Sequence, residues 1–203
     1  METSLGLFLL SAAGISLTGV MLPGPMTAAT IAKGYSDRHA GARIAAGHAI
    51  IEIPLIAVIF GLGHFIDSPY VEKGIYLAGG LMLLYLGFRM LRATRERAGV
   101  VGGLPASSLV TGIVITGTNP AFYIWWATAG AILISGAAKF GVVGVILFTM
   151  VHLPSDLGWS EFLSVSTFES RRWWTQKVQK IVFNVCALIL AGFGVWFCLS
   201  SFL

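Results

Sequence analysis

The sequence predicts an all-α membrane protein: a polytopic bundle of six transmembrane helices, built as two inverted three-helix repeats whose first helices are broken. Three observations predict it, namely the composition, the length of the apolar runs and the placement of positive charge. Of 203 residues, 56% are hydrophobic and 11% charged, with a mean hydropathy of +0.84, where soluble domains carry about 25% charged residues. Nine acids and thirteen bases leave too little polar surface to cover a water-soluble fold of this size, so lipid must cover the remainder.

A helix needs about 20 predominantly apolar residues to cross the hydrocarbon core. Six runs qualify, at residues 5–32, 42–65, 70–91, 109–134, 141–165 and 181–203. A membrane barrel would show short alternating segments instead, and in lipid every backbone polar group must bond internally. The first four residues hold an acid and no Lys or Arg, so the first run lacks the basic start of a secretory signal and is expected to be a retained helix.

Eleven of the thirteen bases lie in alternate connections. The first holds Lys33, Arg38 and Arg43, the third Arg89, Arg92, Arg95 and Arg97, and the fifth Arg171, Arg172, Lys177 and Lys180. The second and fourth hold only Lys73 and Lys139. Cytoplasmic loops are enriched in Lys and Arg, so the odd connections are expected inside and both termini outside. Three spans per half then give one half the opposite orientation to the other, the layout of an inverted repeat. The longest connection, 89–107, carries Gly99, Gly102, Gly103 and Pro105 and joins the halves, about 1–95 and 106–203, within one membrane domain over 1–203. The bases do not form a patch with interleaved aromatics, so nucleic acid is not an expected partner.

Each half opens with an interrupted helix. Pro23-Gly24-Pro25 in the first run removes two backbone donors and clashes with the preceding turn, and Asn119-Pro120 interrupts the fourth run in the same way, with one donor lost, after Gly117-Thr118. Paired interruptions at corresponding positions are the pattern of a transporter binding site. A packing kink at each is the competing account.

The second helix of each half carries a histidine and a carboxylate four residues apart, His48 with Glu52 and His152 with Asp156, with Pro54 and Pro154 close by. Such pairs share a helix face. A charged carboxylate at the bilayer centre costs about 2.5 to 3.5 kcal/mol on insertion scales, so both must face the interior or a water path. Either carboxylate can hold and release a proton, as coupling to a proton gradient requires. A structural hydrogen bond that ties helices together is the alternative.

Trp125, Trp126 and Trp159 are read first as interface anchors and second as substrate contacts, and Trp173 and Trp174, beside Arg171 and Arg172, as interfacial. Ala42, Ala45, Ala46 and Ala49 point to close helix packing. Cys186 and Cys198 lie about 18 Å apart along one helix, so they cannot bridge within it and act as apolar fillers.

The chain resembles the LysE/RhtB-type amino acid exporters. The resemblance runs through Leu22-Pro23-Gly24-Pro25, the region of Gly41 and Gly47, Gly79 to Gly87 with Tyr85-Leu86-Gly87, and Thr118-Asn119-Pro120. It implies export of amino acids or similar small metabolites from a prokaryotic cytoplasm across the plasma membrane, driven by the proton-motive force. The two His/carboxylate pairs are outside that pattern and rest on the residues alone. The expected substrate or coupling residues are therefore Pro23, Gly24, Pro25, His48, Glu52, Asn119, Pro120, His152 and Asp156.

The partners expected are a small-molecule substrate, protons and the lipid bilayer. No cofactor or resident metal is called for, and a homo-oligomer is left open. Export of a divalent metal is the alternative, because two histidines and two carboxylates suit a first-row ion. Enzyme activity is not expected. No serine-histidine or metalloprotease motif is present, and both cysteines fall in the last run instead of one beside each break.

Overall fold

The computed structural model describes residues 4–21, 24–62, 104–173 and 175–202, with scattered positions between 73 and 92. The described residues are helical, and no strand occurs among them. Helix α1, Leu5–Val20, starts where the Ser4 hydroxyl accepts the Leu7 amide. Helix α2, Pro25–Gly34, starts at a proline with Gly24 as its N-cap residue. Proline suits this first helical position because its missing donor would be unbonded there anyway. The first apolar run is thus two helices in sequence, with Leu22 and Pro23 outside the described residues.

Helix α3, Ala40–Leu62, is continuous through Pro54. Helix α4, Ser108–Gly117, is capped by Ser107 and ends at Thr118. Helix α5, Pro120–Trp125, is capped by Asn119, whose side-chain oxygen accepts the Ala121 amide at 3.1 Å. A π-helical turn, Trp126–Gly130, leads into α6, Ala131–Ala138. The turn into α7, Gly141–Ser170, passes through Gly141 at φ +69, a left-handed conformation that a side chain would oppose. A 3-10 turn, Arg171–Trp173, precedes α8, Gln176–Ser200.

Two of these helices are long and apolar enough to cross a membrane without help, Ala40–Gly61 and Gly141–Trp173. The first and fourth runs fall short of that length as single helices because each is broken. The third run lies outside the described residues apart from the scattered positions, as does most of the connection between the halves.

The burial pattern is inverted relative to a soluble protein. On α7, Gly144, Phe148, His152, Asp156, Ser160 and Ser164 form a buried stripe at every fourth residue. The opposite face exposes Val143, Ile146, Met150, Leu157 and Phe162. A water-soluble helix faces its polar residues outward, whereas lipid reverses the preference.

Close approaches hold the bundle. Helix α3 packs along both α4 and α7. A Cβ on Gly41 would enter the Ser160 carbonyl, one on Gly47 the Leu109 carbonyl, and one on Gly112 the Ile44 carbonyl. Small residues permit such backbone contacts between membrane helices. The expected alanines do this only in part, since Ala45 is buried and Ala46 is exposed. Glycine carries the tightest contacts because it alone has no Cβ.

One end of the bundle is tied by polar contacts. Glu161 on α7 accepts the Ala42 amide at 2.9 Å, so a carboxylate sits at the start of α3, where the helix dipole favours it. His39 bonds the same carboxylate, Arg38 pairs with Glu169 at 2.9 Å, and Arg43 pairs with Asp37. Lys33 donates to the Pro105 and Ala106 carbonyls, which fastens α2 to the segment just before α4.

Candidate functional site

The two His/carboxylate pairs meet. Glu52 sits on α3, 1% exposed, and its Oε1 is approached by His48 Nε2 at 3.0 Å and by His152 Nε2 at 3.1 Å. Asp156, one turn along α7 from His152, places Oδ2 3.5 Å from His152 Nε2. Pro54 and Pro154 lie within continuous helices, so the four residues stay on their expected faces.

The outer nitrogens of both imidazoles are also engaged. His48 Nδ1 lies 2.8 Å from Thr116 Oγ1 on α4, and His152 Nδ1 lies 2.6 Å from Ser16 Oγ on α1. Each histidine therefore bonds a hydroxyl carried by the other half of the chain, just before that half's helix break. When both Nε2–H groups donate to the carboxylate, neutral rings leave Nδ1 as an acceptor for the hydroxyl protons. The hydroxyls then select the tautomer that serves Glu52. The result is a hydrogen-bonded chain, Ser16–His152–Glu52–His48–Thr116, across α1, α7, α3 and α4.

This chain borders a cavity of about 450 Å³ that also reaches both breaks, with Gly24 and Pro25 on one side and Asn119 on the other. Of the expected site residues, Gly24, Pro25, His48, Glu52, Asn119, His152 and Asp156 line it. Pro120 instead starts α5 and is buried beside it, and Pro23 lies outside the described residues.

The tryptophans differ from their first reading. Trp126 is 1% exposed and meets both Phe148 and His152 edge to face, at 6.4 and 5.2 Å between ring centroids. Trp125 stacks on His152 at 5.6 Å, and Trp159 also faces the cavity. These three border the cavity, the place their second reading, substrate contact, requires. The helix that restarts at Asn119 carries Trp125 and Trp126 on its cavity side, which run length alone does not reveal. Trp173 is 70% exposed with Arg172 against its ring, as an interfacial residue should be; Trp174 lies outside the described residues.

Ser16, Thr30 and Thr116 escaped notice in the sequence. Hydroxyl residues are common in apolar helices, where they bond their own backbone, as Ser11, Thr118 and Thr149 do here. Nothing in their spacing separates the one kind from the other. The usable signal was position, since Ser16 and Thr116 each come shortly before a break.

His48, Glu52 and Asp156 place one ligand atom each within 4.8 Å of one another. Such a set can take an ammonium group, a proton or a metal ion. Glu52 Oε2 and Asp156 Oδ2 are buried without hydrogen-bond partners, which leaves acceptor capacity within the cluster.

A helical bundle with an apolar outer surface, and an inner cavity walled mostly by apolar side chains around one buried His/carboxylate cluster, fits a helical membrane protein with room for a small solute. Residues 17–201 match the family model described as LysE type translocator, and the chain belongs to that family of membrane transporters. It is also 26% identical over 196 residues to the Bacillus subtilis (strain 168) protein named "Putative amino acid efflux protein YcgF", covering 91% of this chain and 90% of that one. No solved structure matches it.

Proposed function

We propose that this translocator exports amino acids or similar small metabolites across the plasma membrane of a prokaryotic cell by proton-coupled alternating access. The carrying observation is that the His48–Glu52–His152–Asp156 cluster and both helix breaks share one cavity. The two halves, about 1–95 and 106–203, act as inverted three-helix repeats that rock about this site, with both termini outside. In this reading Glu52 and Asp156 receive the substrate ammonium or a proton, and Gly24, Pro25, Asn119 and Pro120 shape the helix ends that face the carboxylate.

One entering proton contributes about 2.3 kcal/mol per 100 mV. That suffices to drive a neutral zwitterion outward against roughly a fifty-fold gradient at about 1.4 kcal/mol per tenfold. The cross-half bonds from His48 to Thr116 and from His152 to Ser16 give the mechanism a physical link, because moving one half against the other must break them.

Export of a divalent metal is a second reading, carried by the convergence of His48, Glu52 and Asp156. Proteoliposomes with a trapped pH dye and an imposed proton gradient separate the two. An amino acid that dissipates the gradient with the parent protein, and not with Glu52→Gln or Asp156→Asn, supports the first reading. A signal from metals alone replaces it with the second, and silence with every solute removes proton coupling.

A further inference from the structure

We propose that His48, Glu52, His152 and Asp156 form a binding site for a first-row divalent metal ion of the zinc type, and that an ion held there inhibits the transporter instead of being carried. The inhibition rests on the exporter reading above, because it concerns the same carboxylates; the metal site does not.

Charge is the first observation. Glu52 and Asp156 are 1% and 6% exposed, and no Lys or Arg is among the described residues lining the cavity beside them. Buried charges are paired or coordinate metals. With neutral imidazoles, the two ionised carboxylates carry a charge that one divalent ion cancels. Glu52 Oε2 and Asp156 Oδ2 also have no hydrogen-bond partner, so two buried acceptors remain for an ion to satisfy.

Spacing is the second. Ligand atoms around a tetrahedral ion with bonds of about 2.0 to 2.1 Å stand about 3.3 Å apart. His48 Nε2 is 3.0 Å from Glu52 Oε1, His152 Nε2 is 3.1 Å from the same oxygen, and Asp156 Oδ2 is 3.5 Å from His152 Nε2. His48, Glu52 and Asp156 each place one ligand atom within 4.8 Å of the others. Imidazoles with carboxylate oxygens are a zinc donor set, whereas magnesium and calcium select oxygen alone.

The outer bonds of the histidines are the third. A metal takes the lone pair of Nε2, so the ring proton must sit on Nδ1, and ligating histidines give that N–H to a fixed acceptor. Ser16 Oγ lies 2.6 Å from His152 Nδ1, and Thr116 Oγ1 lies 2.8 Å from His48 Nδ1. A hydroxyl both donates and accepts. It therefore serves the Nε2–H tautomer that bonds Glu52 and equally the Nδ1–H tautomer that binds an ion. The rings are also held in place: Trp125 stacks on His152 at 5.6 Å, and Phe122 meets His48 edge to face at 5.2 Å.

Inhibition follows from where the ligands stand. His48 and Glu52 are on α3, and His152 and Asp156 are on α7, so an ion ties one half of the chain to the other. It also occupies both carboxylates and leaves neither for a substrate ammonium or a proton. A cargo ion must bind weakly enough to leave, whereas four protein ligands close the coordination sphere as in structural zinc sites.

The test starts from the purified full-length protein in detergent, titrated with zinc by calorimetry and with cobalt(II) by visible absorption. Zinc should bind one to one, cobalt should give the intense bands of a tetrahedral site, and magnesium should do neither. Asp156→Asn and His152→Gln should each weaken zinc at least about tenfold. His39→Gln, at an exposed histidine outside the cluster, should bind zinc as the parent does. The cobalt spectrum of the parent protein decides the point even where a variant fails to fold. In proteoliposomes, zinc at about ten times its Kd should slow about tenfold the proton flux driven by a mixture of the standard amino acids, and a trapped zinc dye should stay dark. Absent zinc binding, binding unchanged in both cluster variants, or an octahedral cobalt spectrum would overturn the site and leave the exporter reading standing. Binding with undiminished amino acid flux would overturn the inhibition, as would zinc entering the liposomes, which favours metal export. If the mixture moves no protons, the exporter reading and the inhibition fall together, and the binding measurements alone decide the site.

Discussion

The two helix breaks occupy corresponding places in the chain and are built differently. At the second, Asn119 caps its own helix by accepting the Ala121 amide, and that short helix carries two tryptophans to the cavity before a π turn. At the first, Gly24 is the N-cap residue and supplies no side-chain cap bond, and Pro25 opens α2 without a donor. The carboxylates differ in the same sense. Glu52 is clamped by two histidines, whereas Asp156 stands 3.5 Å from one. Two breaks can therefore hold the same place in the chain and end differently: one helix start is capped by its own asparagine side chain, and the other has no side-chain cap.

The largest effect expected is at Glu52. Glu52→Gln should lower stability by about 3 kcal/mol, because it uncouples two buried imidazoles from their shared charge. Asp156→Asn should cost about 1 kcal/mol, the scale of a single hydrogen bond, while both abolish gradient-driven transport. Thermal unfolding in detergent beside flux in liposomes checks this, and equal destabilisation by the two would erase the asymmetry.

Next comes the scaffold that holds the halves together. Gly112→Ala should cost about 1 to 3 kcal/mol, since its Cβ would enter the Ile44 carbonyl and the helices must part. Gly14→Ala meets nothing within 4 Å and should be neutral or slightly stabilising in the same unfolding assay.

Exchanging the caps sharpens the comparison further. Asn119→Ala should cost about 1 kcal/mol of stability. Gly24→Asn should instead move stability by less than about 0.5 kcal/mol, the small difference between these two residues as caps. Unfolding of both variants beside the parent protein checks the pair, and equal effects would erase the difference between the two helix starts. The smallest effect belongs to the exposed pair Arg38–Glu169, where Glu169→Gln should move stability by less than about 1 kcal/mol.

How much of this was legible varies by residue. His48, Glu52, His152 and Asp156 were legible because lipid penalises them individually and a spacing of four sets each pair on one face. That they form one cluster was not, because no sequence term relates α3 to α7. That Trp125 and Trp126 border the cavity was not legible, because an apolar run does not say which face of a helix restarted after a break turns inward. Ser16 and Thr116 were hidden because a hydroxyl that bonds its own backbone reads the same as one that reaches across to a histidine.

By itself, then, the sequence determined that the chain is helical and made for lipid, where the first and fourth helices break, and which ionisable residues must face inward. Each of these follows from local chemistry: a proline lacks a donor, and a charge or an unbonded backbone group is costly in hydrocarbon. Only the tertiary structure decided that both histidines share Glu52, that hydroxyls from opposite halves hold the imidazoles, and that one helix start carries a side-chain cap while the other does not. Those facts depend on helix crossings a few ångströms close at Gly41, Gly47 and Gly112, and crossings are set by the packing of the whole bundle.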